Sequence, residues 1–244
     1  MSARITFATA LRVLQQLRRD PRTVALLLVL PMLLTGLLAW VYKGSDTFDS
    51  IGAPLLGIFP FIVMFLVTSI ATLRERTSGT LERLLTLPTS KADFIVGYAL
   101  AFGLLGIVQA LLVSTWTVGV LGLDVQGPTW FLVVVAVADA LLGTALGLSV
   151  SAFAATEFQA VQFMPLFVLP QLLVCGLLTP RSEMPQALQW FSNVLPLSYA
   201  VDAMSAVVAS PTVTAEAWRD LLVVVGFLIA GLGLGAATLR RRTP

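Results

Sequence analysis

Among 244 residues there is no histidine, and the lysines are Lys43 and Lys91. Little catalytic chemistry survives those counts. Without histidine there is no Ser-His-Asp triad, no His-based zinc site and no histidine proton relay. Cys175 stands alone, so an intrachain disulfide is excluded, and a lone cysteine in an apolar run reads as a small hydrophobe rather than a reactive thiol. A phosphate-binding G-x-x-x-x-G-K-[ST] loop needs a lysine after its second glycine. Neither Lys43 nor Lys91 has that context. No catalytic residue, metal ligand set, nucleotide site or nucleic-acid partner is therefore expected of this chain.

The residues left with chemical potential are polar groups inside apolar runs. Asp139 lies nine residues into such a run, which places it about 13 Å deep at ~1.5 Å per residue. An acid near a bilayer centre marks a functional site by default. No Lys or Arg falls in a run to pair with it, so Gln109, Ser114, Thr115 and Thr144 are its candidate partners. Asp139, Gln109 and Gln171 are grouped as possible contacts in a substrate path or subunit interface. The alternative is an interhelical hydrogen bond with no further role.

The elements that position these groups are membrane spans. The chain is 57% hydrophobic and 11% charged, against about 25% charged in soluble domains. Apolar runs of spanning length occur at about 24–42, 51–73, 92–121, 130–155, 161–178 and 218–239. No cleavable leader is expected, because the first run follows a basic stretch and leads into further spans. Before it, Phe7, Ala10, Leu11, Leu14 and Leu17 recur at helical spacing opposite Arg12, Gln15, Gln16 and Arg19. That pattern predicts a basic amphipathic helix lying in the interface, with a soluble helix packed on a partner as the alternative. Residues 1–23 form this interfacial segment and residues 24–244 one transmembrane domain. Ser90-Lys91-Ala92-Asp93 is a capping box for the third span. Gly143 with Gly147, and Gly231 with Gly235, have the spacing that lets helices approach closely.

Orientation follows from basic residues near span ends. Arg4, Arg12, Arg18, Arg19, Arg22, Arg74, Arg76, Arg83, Lys91, Arg240, Arg241 and Arg242 fall on one side, leaving Lys43, Arg181 and Arg219 on the other. Both termini are expected in the cytoplasm, in a multi-pass protein of the cell (inner, cytoplasmic) membrane. The stretch 179–217 is then external. It is too polar in places to span and too apolar for a solvated loop, which predicts one or two short re-entrant helices between spans five and six, with a loop folded over the helix ends as the alternative. The fold class expected is an all-α integral membrane protein with six transmembrane helices and an N-terminal interfacial helix.

The loop from Arg74 to Lys91 has its own pattern. Gly79 and Thr80 can start a short helix, Leu81, Leu84 and Leu85 share one face, Glu82 and Arg83 lie opposite, and Pro88 ends it. A short helix with one apolar face suits docking of a partner; a capped turn joining two spans is the other reading. The pattern Glu75, Gly79-Thr80-Leu81-Glu82, Leu85, Pro88 resembles the loop after the second span of ABC-2 type transporter permeases. The external stretch, with Thr179-Pro180, Met184-Pro185, Leu188, Pro196-Leu197-Ser198-Tyr199 and Asp202-Ala203, resembles the segment before the last span of daunorubicin-resistance-type drug exporters in that family. Nearly the whole chain takes part in the likeness.

The resemblance implies a permease subunit that dimerises, with itself or a paralogue, and binds two copies of an ABC ATPase that carry ATP and Mg. It implies that residues 75–88 transmit nucleotide-driven motion: Glu75, Gly79, Thr80, Leu81, Glu82, Leu84, Leu85 and Pro88. It implies that Pro180, Pro185, Pro196, Tyr199 and Asp202 shape the external segment. The expected cargo is a hydrophobic or amphipathic molecule, drug or lipid, moved outward. Two rivals remain: a secondary transporter with Asp139 as its ion or proton site, and an ABC-2 exporter of polysaccharide. A membrane enzyme is the weakest class, for want of a nucleophile and base.

Overall fold

The computed structural model describes residues 3–43, 47–78 and 91–238. Among them every regular element is helical: α1 (Ala3–Arg19), α2 (Pro21–Val41), α3 (Thr47–Thr77), α4 (Lys91–Ser114), α5 (Thr129–Val150), α6 (Glu157–Val174), α7 (Gln186–Asn193), α8 (Pro196–Ala209) and α9 (Ala215–Thr238). Six of these, α2 to α6 and α9, are long and apolar enough to cross a membrane. The all-α, six-span expectation holds. So does the re-entrant one, since α7 and α8 form a broken pair bent by 96°.

Span ends differ from the apolar runs because caps, not hydropathy, terminate helices. The second helix begins at Pro21 rather than near 24: Asp20 caps it, accepting from the Thr23 N–H at 3.2 Å and the Thr23 hydroxyl at 2.6 Å, and proline is well suited to the first helical position. The fifth span runs 157–174 rather than 161–178. Thr156 caps it by accepting from the Gln159 N–H at 3.2 Å, while the Gln159 side chain accepts from the Ala155 N–H at 2.8 Å. At its far end Gly176 takes a φ of +99°, a backbone that favours glycine. The third span ends in a π-helical turn, Thr115–Val120, and the fourth stops at Val150, where Ser151 turns its hydroxyl back to the Leu148 carbonyl at 2.7 Å. The second span, α3, is 31 residues long, about 46 Å at ~1.5 Å per residue, so it reaches beyond the hydrocarbon layer of about 30 Å.

The core is α5 packed on α3. Lipid tails are as apolar as leucine, so helices associate in a membrane through close packing rather than through hydrophobic exclusion. Both glycine pairs serve that end. A Cβ at Gly143 would run into the Phe61 carbonyl, and one at Gly147 into the Phe65 carbonyl, so the two backbones touch. On the opposite face, Gly231 lets α9 approach Ala145, and Ser149 donates to the Gly231 carbonyl at 2.6 Å. Peripheral helices turn apolar side chains outward, as with Leu26, Leu33, Leu166, Leu173, Leu222 and Ile229.

The first helix departs from the predicted apolar face. Thr6, Ala10 and Val13 are its buried residues, set against α4, where Gly97 admits the Thr6 carbonyl and Thr9. Phe7 and Leu11 remain exposed. The helix thus has a protein-facing side of small residues and an exposed apolar stripe, which a single apolar face in a helical wheel does not distinguish.

Gly143→Ala is expected to destabilise the protein by about 1–3 kcal/mol, the usual cost of overpacking. Gly233 has no atom near enough to meet a Cβ, so Gly233→Ala should be neutral or slightly stabilising. Denaturant unfolding in detergent compares the two; equal stability would show that the α3–α5 backbone contact is absent.

Candidate functional site

At the basic end of the bundle, three consecutive residues of α3 each bond a different neighbour. Arg74 pairs with Glu157 of α6 through two contacts of 2.7 and 3.0 Å. Arg76 donates to the Ser151 carbonyl, in the turn between α5 and α6, at 2.7 Å. Between them Glu75 is turned inward and buried. It accepts from Arg12 of α1 at 3.1 and 3.2 Å and from Gln16 at 3.0 Å, while Arg12 also donates to the Tyr98 hydroxyl of α4 at 2.9 Å. Thr6 of α1 donates to the Asp93 carboxylate at 3.3 Å. So Asp93, expected in a capping box with Ser90, also ties α1 to α4.

Glu75 is the one member of the resemblance-implied coupling segment within the described residues. Gly79, Thr80, Leu81, Glu82, Leu84, Leu85 and Pro88 lie outside them. The root of that segment is therefore what can be placed, and it is held by α1, α6 and the α5–α6 turn. The links of Arg12 and Gln16 to Glu75 span 59 residues or more of chain and that of Arg12 to Tyr98 spans 86, so no local pattern in the sequence announces them.

At the far end the re-entrant pair is organised around Arg181. Its guanidinium donates to Asp202 of α8 and to the Asn193 side chain at the end of α7, and lies 5.4 Å from the Tyr199 ring centroid. Tyr199 in turn donates to the Asn193 carbonyl at 2.7 Å. The three prolines all stand at helix starts: Pro180 precedes a short turn at Arg181–Glu183, Pro185 precedes α7, and Pro196 opens α8. Proline fixes φ and lacks an N–H, so it serves at these starts. In the sequence Arg181 is visible only as an external cation; its place at the centre of the motif appears in three dimensions.

Asp139, Gln109 and Gln171 are not brought together. Gln109 donates to the Leu27 carbonyl at 2.9 Å, joining α4 to α2. Gln171 donates to the Phe167 carbonyl at 2.8 Å and accepts from the Leu197 N–H at 3.4 Å, capping the start of α8. Asp139 bonds none of its expected partners. It is fully buried, it lies beside Gly57 of α3 and Met204 of α8, and neither carboxyl oxygen has a hydrogen-bond partner among the described residues. Thr144 instead turns its hydroxyl to the Ala140 carbonyl at 3.1 Å. The physical reason is rotation: Asp139 faces the α3–α8 side of α5, and Gln109 faces α2. Among the described residues no group of acids, Cys or His could hold a metal.

A multi-pass helical membrane protein with a braced basic end and a re-entrant far end is thus defined. A model of the family described as ABC-2 type transporter matches residues 5–208, and the chain belongs to that family. It is similar to ABC transporter G family member 20 of Dictyostelium discoideum, 26% identical over 76% of this chain and 26% of that protein. It is similar to the linearmycin resistance permease protein LnrN of Bacillus subtilis, 25% identical over 77% of this chain and 48% of the relative. The probable multidrug ABC transporter permease YbhR of Escherichia coli is 25% identical over 68% of this chain and 45% of the relative. The chain therefore spans about half the length of these relatives or less.

A double-mutant cycle of Arg12→Ala and Glu75→Ala should give a coupling energy of about 1–3 kcal/mol, the range for hydrogen bonds to charged groups. Both side chains are largely covered, with 28% and 10% of their surface exposed. Additive losses in unfolding free energy would mean that α1 does not brace α3.

Proposed function

We propose that this chain is the membrane-spanning permease subunit of an ABC exporter, driven by a separate ATPase that holds ATP and Mg. Two ATPase copies and a second permease subunit, identical or paralogous, complete the assembly in the cytoplasmic membrane, with both termini of the permease in the cytoplasm. The cargo is a hydrophobic or amphipathic drug or lipid carried outward. Family membership supports the permease role, and the resistance and multidrug names of two relatives support the cargo class. The observation that carries the mechanism is the braced root of the loop, Arg74-Glu75-Arg76. A partner pushing on residues 79–88 would act through these contacts on α1, α6 and the α5–α6 turn rather than on a free loop.

Leu81, Leu84 and Leu85 supply the docking face in this reading, with Gly79 and Glu82 setting its geometry. Burying one leucine contributes about 1.5–3 kcal/mol, whereas a rim ion pair at Glu82 would add about 0–1 kcal/mol. Leu81→Asp is expected to leave membrane insertion intact, weaken co-purification with the ATPase and abolish efflux. Normal efflux with normal co-purification would place the docking surface elsewhere.

A second reading has one observation in its favour: the buried, unpartnered carboxyl of Asp139. In a secondary transporter it would carry the coupling ion or proton. Asn keeps the shape and hydrogen-bonding capacity without the charge. Asp139→Asn is expected to fold and to retain ATP-dependent efflux, measured as drug accumulation in cells; loss of transport with normal folding and assembly would favour the ion-coupled reading.

A further inference from the structure

We propose that the cavity enclosed by α1, the start of α2 and the basic ends of α3 and α4 binds a cationic amphiphile. Its hydrocarbon body lies against Val13, Leu17, Val67, Ile70 and Phe102, and its ammonium head at Asp20. The cavity holds about 370 Å³, within the range of small-molecule sites of about 300–1,000 Å³. Its wall divides by chemistry. The residues just named supply its apolar lining, and Gln16, Asp20, Thr23, Arg74 and Glu75 its polar and charged lining.

The charges on that wall select the head group. Among the described residues Arg74 is the one cation lining the cavity, and it is engaged by Glu157 through two contacts. Glu75 is neutralised by Arg12. Asp20 is left over: its carboxylate accepts from Thr23, and among the described residues no Lys or Arg lies within ion-pair distance. The hydrogen bonds from Thr23 hold its carboxyl below the usual range, so it stays charged. The cavity therefore offers, beside its apolar lining, an anion that has no ion-pair partner among the described residues and that Arg74 reaches only through space. A phosphate or sulfate head would meet Asp20, and the one cation on the wall among the described residues, Arg74, already bonds Glu157. Arg18, Arg19 and Arg22 stand at the same corner, exposed, and do not line the cavity; they would hold an anionic lipid outside it.

As an entry point for cargo the cavity rests on the permease reading, but binding is measured without ATP or a partner, so the two can fail separately. The test uses the full chain in phosphatidylcholine nanodiscs with a dodecyltrimethylammonium probe carrying a diazirine in mid-chain. The same chain with a sulfate head is the comparator. Irradiation should label the segments 67–75 and 98–102 with the ammonium probe and not with the sulfate. Asn caps a helix as well as Asp does, so Asp20→Asn keeps the fold and removes only the charge. It should weaken labelling by up to about fivefold, the strength of a solvent-accessible ion pair. Ala71→Trp, which fills the slot, should abolish labelling in these segments with unchanged melting behaviour. Equal or stronger labelling by the sulfate probe would identify a lipid site and overturn the proposal. So would labelling confined to other segments, or unchanged binding in Asp20→Asn.

Discussion

The contact between the backbones of α3 and α5 fixes everything else in this bundle. Where Gly143 meets the Phe61 carbonyl and Gly147 the Phe65 carbonyl, no side chain intervenes. In a membrane such an approach gains dispersion contacts that lipid cannot replace. It also sets the rotation of both helices, because one carbonyl must face one glycine at each level. From that register follow the burial of Asp139 beside Gly57, one turn from Gly143, and the packing of α9 on the opposite face of α5 through Gly231 and Ser149. The basic end of α3 inherits the same register, which aims Glu75 at α1 and Arg74 at α6.

Polar groups within the spans show how sparingly the fold uses hydrogen bonds between helices. Gln109 and Ser149 each reach a carbonyl on another helix, and Gln171 caps α8. Thr35 and Thr144 turn back to their own helix. Asp139, Thr68, Ser69 and Thr72 are buried and have no partner among the described residues. These four all lie on the α3–α5 seam or beside it. A buried polar atom left unpaired costs about 1–3 kcal/mol, so the seam carries a local penalty that its close packing offsets. Asp139 is the extreme case, since it lies against Gly57 of α3, where Met204 of the re-entrant helix also packs.

The six spans and the re-entrant pair were legible in the sequence because apolar run length and proline-rich interruption are local properties. Span ends were less so. Phe153 and Ala154 continue the hydropathy of the fourth run, but they lie in the turn that follows the helix, and Thr156 with Gln159 restarts it. Asp139 stood out as an acid in an apolar run, yet its neighbours did not, since they depend on helix rotation. Arg181 and Arg12 were visible only as charges. Their partners are 21 and 63 residues away, and nothing in the pattern of either segment announces them.

Three adjacent residues gripping three different elements have a mechanical consequence. Successive side chains on a helix point about 100° apart, so Arg74, Glu75 and Arg76 together face most of the helix circumference. The end of α3 can neither roll nor tilt without breaking at least one of its contacts. The Glu75 contact is the costliest to break, being buried and shared with Arg12 and Gln16; the Arg74–Glu157 pair is exposed and weak. A force applied just beyond Ser78 would therefore leave the α1–α3–α4 contacts intact and release α6 first. On the permease reading, α6 is the helix whose displacement would be felt at once by the re-entrant pair, because Gln171 caps α8 and Ser192 donates to the Val174 carbonyl at 2.8 Å. The two ends of the molecule are then linked through α6 as well as through the α3–α5 core, on which α8 also packs.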